Sequence, residues 1–183
     1  DYVKDGALSI ETLGDAIDAT VFGLPSGGLS LIKTQTIGTA VSSVTVTDAY
    51  SVTYDAYKII ISGGVASGNS DLTIINTGSS ASYAQILLYA IFATGTIGTV
   101  NYASNSSFLF AGGGTTTGLQ LNVDVINPFL AKPTTFSNPF VTGAVGGCAA
   151  AYHNVSTSYT GFTIAPSFGT LTGGTIAVYG YNK

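Results

Sequence analysis

From Leu29 onward, short runs of β-branched and aromatic residues are broken by Gly, Ser, Asn and Asp at spacings of roughly eight to twelve residues, the pattern of strands and turns in a sandwich or barrel. The clearest strand is Leu119 to Asn127, where Leu119, Leu121, Val123 and Val125 alternate with Gln120, Asn122, Asp124 and Ile126. Such period-two alternation predicts one dry face and one mostly wet face. Further strands are predicted at Leu29 to Ile37, Val41 to Thr47, Tyr54 to Ser62, Asp71 to Asn76, Tyr83 to Phe92 and Ser107 to Phe110. Through a stretch interrupted by Pro128 and Pro139 the pattern resumes at Thr135 to Val141, Val145 to His153, Gly161 to Ile164 and Gly174 to Tyr181. Tyr57-Lys58-Ile59-Ile60-Ile61 predicts a strand buried on both faces at one end. The Gly/Ser-rich stretches Ser62 to Ser70 and Ala111 to Gly118 predict turn or interface loops. Strands without intervening helices pair antiparallel. The expected fold is therefore all-β, an antiparallel jelly-roll-like β-sandwich; an immunoglobulin-like sandwich comes second because its cysteine pair and core tryptophan are absent.

Residues 1–28 differ. Ile10, Leu13, Ile17 and Val21 recur at spacings of three and four, one face of a helix of about three turns that Ser9 could cap. Gly23-Leu24-Pro25-Ser26-Gly27-Gly28 reads as a hinge. We expect residues 1–28 to form an anchoring arm and linker, and residues 29–183 a β-sandwich body. The arm's apolar face needs a groove from a body or neighbouring subunit.

Composition narrows the function. Of 183 residues, 45% are hydrophobic and only 8% charged, against about 25% in ordinary domains. A surface so poor in charge is best hidden against partners. Nine acidic groups face five lysines and no arginine; the scattered lysines speak against nucleic-acid binding. No apolar run has the length of a membrane span, so no membrane insertion is expected. Cys148 is the single cysteine; it can form no intrachain disulfide and is expected to be a small buried hydrophobe. The chain starts at Asp1 and contains no methionine, which reads as a processed chain or a piece of a longer one.

Candidate chemistry is thin. His153 is the sole histidine, and its odd offset from Cys148 puts the two on opposite faces of one strand; a surface or interface histidine is the expected reading. Asp48 and Asp55, or Asp71 and Asp124, could supply a carboxylate pair, but Asp48 and Asp71 read more simply as turn or strand-start residues. No Cys/His spacing or calcium loop predicts a metal, and no cofactor is expected. The clusters Gly63-Gly64 and Gly112-Gly113-Gly114 lack the lysine and helix of a phosphate loop and read as turns. Eleven tyrosines suit subunit interfaces and sugar stacking, with Tyr102, Tyr152, Tyr159, Tyr179 and Tyr181 the candidate interface or glycan-facing aromatics.

Leu29-Ser30-Leu31-Ile32-Lys33-Thr34-Gln35-Thr36-Ile37, Tyr54-Asp55-Ala56-Tyr57-Lys58-Ile59 and the ending Gly173-Gly174-Thr175-Ile176-Ala177-Val178-Tyr179-Gly180-Tyr181 resemble the β-rich body of tailed-phage virion surface proteins. Ala177 stands where that terminal motif often carries arginine. The resemblance covers about residues 29 to 183 and implies a non-enzymatic homotrimer on the virion surface, assembled in the host cytoplasm. Its role would be that of a capsid decoration (cement) or tail-fibre protein bound through its arm to the major capsid or tail protein. The alternative it implies is a fibre tip that binds a host-surface glycan.

Overall fold

The structure, a computed structural model, describes the backbone of residues 2–23 and 28–183, with side chains described over 2–16 and 28–183. Helix α1 (Tyr2–Gly23) precedes fourteen strands. In chain order they are β1 (Leu29–Thr36), β2 (Val44–Val46), β3 (Ala56–Ser62), β4 (Val65–Ala66), β5 (Ser70–Asn76), β6 (Tyr83–Ile91), β7 (Ile97–Tyr102), β8 (Phe108–Thr115), β9 (Gly118–Ile126), β10 (Thr134–Val141), β11 (Val145–His153), β12 (Phe162–Pro166), β13 (Leu171–Thr172) and β14 (Thr175–Tyr181).

Eight of these strands wrap as a jelly roll. β1 pairs with β14, β2 with β12, β3 with β9 and β5 with β8, all antiparallel: outermost with outermost, inward to the central pair. The resulting orders are β1-β14-β3-β9 and β2-β12-β5-β8. Two hairpins are inserted into this wrap. β6–β7 lies between β5 and β8, β10–β11 between β9 and β12, and the insertions pair with one another through β11 and β6. β10 joins the jelly roll at β9, so one sheet runs β7-β6-β11-β10-β9-β3-β14-β1.

The sheet branches at β9. Gly118 to Leu121 pair with β8, while Asp124 to Ile126 pair with β10. The last β10 pair on that edge is Ser137–Asp124; Pro139, two residues on, has no N–H to continue a ladder. The glycines let β8 take over, because a Cβ on Gly112 would stand 2.1 Å from the Gln120 carbonyl oxygen and one on Gly113 2.2 Å from that of Val141. The core between the layers holds Tyr57, Ile59, Leu72, Ile74, Phe108, Phe136, Phe140, Phe162, Ile164, Ile176 and Val178.

The alternation read in Leu119 to Asn127 holds: Leu119, Leu121, Val123 and Val125 are buried, Gln120, Asn122 and Ile126 exposed and Asp124 between. Other expectations need correction. Gly112-Gly113-Gly114 is no turn; it lies inside β8, where close backbone approach excludes larger residues. Gly63-Gly64 does turn the chain, both residues at positive φ against Gly173 and Gly174. The helix is 22 residues long and begins at Tyr2; Ser9 lies inside it, its hydroxyl donating to the Asp5 carbonyl at 2.9 Å. Ile60 is half-buried, so β3 is dry on one face only. β7 carries its polar residues where sequence periodicity gave no strand. The hinge expected around Leu24 to Gly27 lies outside the described residues, as do the side chains of Ile17 and Val21.

Candidate functional site: the outer face of the long sheet

One row of paired residues crosses the whole long sheet: Asn101, Ile86, Ala150, Ser137, Asp124, Lys58, Tyr179 and Leu31. Because side chains alternate across a strand, this row and its i ± 2 neighbours define one outer face. Nine of the large exposed hydrophobics of the molecule fall on it: Leu29, Leu31, Ile86, Leu88, Ile97, Ile126, Val141, Tyr152 and Tyr181. Its two charges, Lys58 and Asp124, neutralise each other at 3.0 Å. The Tyr181 hydroxyl donates to the same carboxylate at 2.5 Å. That bond, before burial, pushes the Tyr181 pKa up to about 12.

Two shallow, open hollows share Ile86 and Ala150. The first, about 560 Å³, is bounded by Ala84, Tyr102, Thr135 and Tyr152. The second, about 530 Å³, is bounded by Leu88, Asp124, Pro139 and Cys148. The polarity of β6 is inverted here: Gln85 is buried while Ile86 and Leu88 are exposed. Gln85 is needed inside because β8 begins before its ladder with β9 does, and its Nε2 donates to the Ser107 carbonyl at 2.9 Å while its Oε1 accepts the Leu109 N–H at 2.7 Å. Asn138 does the same from β10, donating to the carbonyls of Phe110 and Ala111 at 2.9 and 3.2 Å.

Of the five candidate tyrosines, Tyr102 and Tyr152 both border the first hollow, Tyr152 from the outer face and Tyr102 from the opposite parity of the edge strand, where it pairs with Gln85 and stacks on Phe110 at 6.3 Å. Tyr179 and Tyr181 lie on the same face at β14. Tyr159 does not belong with them. It is buried, its hydroxyl 2.8 Å from His153 Nε2. His153 in turn is wholly buried, not at a surface, stacked on Tyr83 at 4.1 Å and 12° and within 3.1 Å of the Ser79 hydroxyl. Desolvation lowers its pKa, partly countered by the Ser82 carbonyl. This cluster ties the ends of β6 and β11 to the loops beside them, and a neutral imidazole so enclosed has no route to a substrate. Cys148 is exposed, not buried, because its strand faces outward at that position; the opposite placement of Cys148 and His153 holds. Ile10 and Leu13 are exposed on α1.

Asp48, Asp55 and Asp124 each face a different lysine, Lys33, Lys183 and Lys58, at 4.0, 3.0 and 3.0 Å. Asp48 sits in a bend at φ 52° and Asp71 is the second residue of β5, near the turn and strand-start places the sequence suggested. Burial raises the Asp71 pKa. Among the described residues no three His, Cys, Asp or Glu side chains converge as metal ligands, and no helix is long and apolar enough to cross a membrane. Sequence reading missed Ile86, Leu88, Ala150 and the Lys58–Asp124–Tyr181 cluster. A signal was present in the apolar Ile86-Leu87-Leu88 run, since only one parity of it can face a core.

No family model matches the chain, and no curated protein matches it. Among solved structures, a fructosyltransferase from A. japonicus aligns over 87% of this chain and 27% of its own length, at 11% identity and TM-score 0.35. The infectious bursal disease virus VP2 subviral particle aligns over 84% of this chain and 41% of its own, at 13% identity and TM-score 0.14. Likenesses of this size carry no argument about fold or activity.

Proposed function

We propose that this protein is a non-enzymatic structural component of a phage virion that self-associates, as a homotrimer, through the outer face of its long sheet. It would act as a capsid decoration or fibre protein on the virion surface, held to the major capsid or tail protein through its N-terminal region. The observation that carries this reading is the outer face itself. It is broad, apolar and almost free of charge, and contiguous exposed apolar surface of that kind marks interaction sites. Interface cores are likewise depleted of charge and rich in aromatics. The low overall charge supports it too, since such a surface repels neighbours weakly.

Cys148 offers a direct test, because it lies on this face. Mass by light scattering and the rate of Cys148 alkylation should be followed across a dilution series, for the wild type and for Ala150→Lys. A multimer whose thiol is protected, and which the lysine both dissociates and unmasks, supports the reading. A monomer at every concentration, with a constant alkylation rate, sinks it.

A second reading draws on the hollow that Tyr102 and Tyr152 share. Aromatic rings at an open hollow suit stacking on a sugar, as expected of a fibre tip that binds a host-surface glycan. Glycan-array binding lost in Tyr152→Ala would favour it.

A further inference from the structure

We infer that α1 is one member of a parallel coiled coil formed with the same helix from other copies of this chain. This deepens the self-association in the proposed function and rests on that reading only in requiring several copies.

Over its described side chains the body does not cover this helix: every one from Tyr2 to Ala16 is exposed, with Val3, Ile10 and Leu13 at 88%, 74% and 60%. An isolated helix of this length is marginal in water, and Gly6 and Gly14 weaken it further. Its apolar stripe must therefore be covered by another molecule.

The sequence register identifies that molecule. With Val3 set at position a of a heptad, Ile10 and Ile17 also fall at a, and Leu13 at d; Gly6 and Thr20 complete the d positions and interrupt the seam. β-branched residues at a with leucine at d are what a parallel seam selects. The charges Lys4, Asp5, Glu11, Asp15 and Asp18 all fall at b, c or f. Positions e and g hold Tyr2, Ala7, Ser9, Gly14, Ala16, Val21 and Gly23, with no charge among them. Identical helices in register set like residues against each other along the seam, where like charges at e and g would repel. Here nothing repels. An anionic bilayer is a poor occupant by contrast, since surface-lying helices present a Lys/Arg-rich polar face and α1 has one lysine against four carboxylates. Three helices, as the proposed homotrimer requires, bury e and g as well, where small Ala7, Gly14 and Ala16 leave room.

The test uses the 183-residue chain with Ile10→Asp and Leu13→Asp on the seam. Leu8→Asp is the control, because Leu8 is 53% exposed and apolar but falls at f. Sedimentation mass and helical circular dichroism are read across a dilution series, with Ala150→Lys in parallel. The wild type should be multimeric with a helical signal that fades on dilution. Each seam variant should lose the helical signal at concentrations at least tenfold above the wild-type midpoint, even where the sheet face still holds the mass together. Leu8→Asp should match the wild type. The inference is overturned if the seam variants keep both mass and helical signal, or if Leu8→Asp is equally damaging. If Ala150→Lys dissociates the chain while the seam variants keep both their mass and their helical signal, the inference fails and the sheet-face reading stands. A wild type that is monomeric throughout overturns both.

Discussion

The Oε1 of Gln85 on β6 accepts the backbone N–H of Leu109 on β8 at 2.7 Å, so a side chain of the long sheet supplies what a neighbouring strand would have given. β8 meets β9 only from Gly112 onward, and the polar edge before that point would otherwise be buried unpaired. Replacing Gln85 with Leu should cost about 2–3 kcal/mol, because the Leu109 N–H and the Ser107 carbonyl would both lose their buried partner. Urea unfolding measures this; a loss under about 0.5 kcal/mol, the scale of an ordinary surface change, would show that water replaces the amide.

Gly112→Ala should be worse. The added Cβ would meet the Gln120 carbonyl oxygen at 2.1 Å, a backbone atom that cannot turn away. The expected outcome is loss of soluble folded protein, while Gly118→Ala, whose Cβ meets open space, is tolerated. Equal expression and melting temperature for both variants would refute the close-approach account.

Acid should weaken the fold through His153. Its folded pKa lies below the ordinary 6.5 because burial disfavours the cation, so the unfolded chain takes up the proton first as pH falls. Stability is complete above about pH 6.5 and is lost as pH drops from there toward the folded value. His153→Gln should flatten this part of the profile at some cost in baseline stability. A wild-type melting temperature that does not change between neutral pH and pH 5 would contradict the assignment.

Asp124→Asn should let the Tyr181 hydroxyl ionise more readily, moving it down from about 12 toward the ordinary 10, while leaving Lys58 without its ion-pair partner. Alkaline difference absorbance against Tyr181→Phe isolates this one phenol. An unchanged titration would mean that the 2.5 Å bond does not persist in solution.

The strands were legible where one parity is apolar and the other polar, as in Leu119 to Asn127, and the jelly-roll-like class followed from strands without helices. What was not legible depended on long-range geometry. Gly112 and Gly113 look like turn residues locally, and only the crowding of β8 against β9 and the Val141 backbone explains them. Gln85 and Asn138 look like surface residues until the uncovered edge of β8 is seen. His153 and Tyr159 seemed to be surface groups because nothing local shows that the two meet in the interior. The outer face was half legible: Tyr152 and Tyr181 were named, while Ile86 and Leu88 stayed concealed in a run that reads as core.

The nested wrap also orders events during synthesis. β14 inserts between β1 and β3, so the first strand of the body has to wait for the last before either of its edges is paired. A ribosome that has made everything up to β13 holds a nascent chain with two open strand edges, exposed throughout translation of the body. Slow decoding of β14 should therefore favour capture by chaperones or entanglement with neighbouring nascent chains, and rapid emergence of β14 should favour the closed fold.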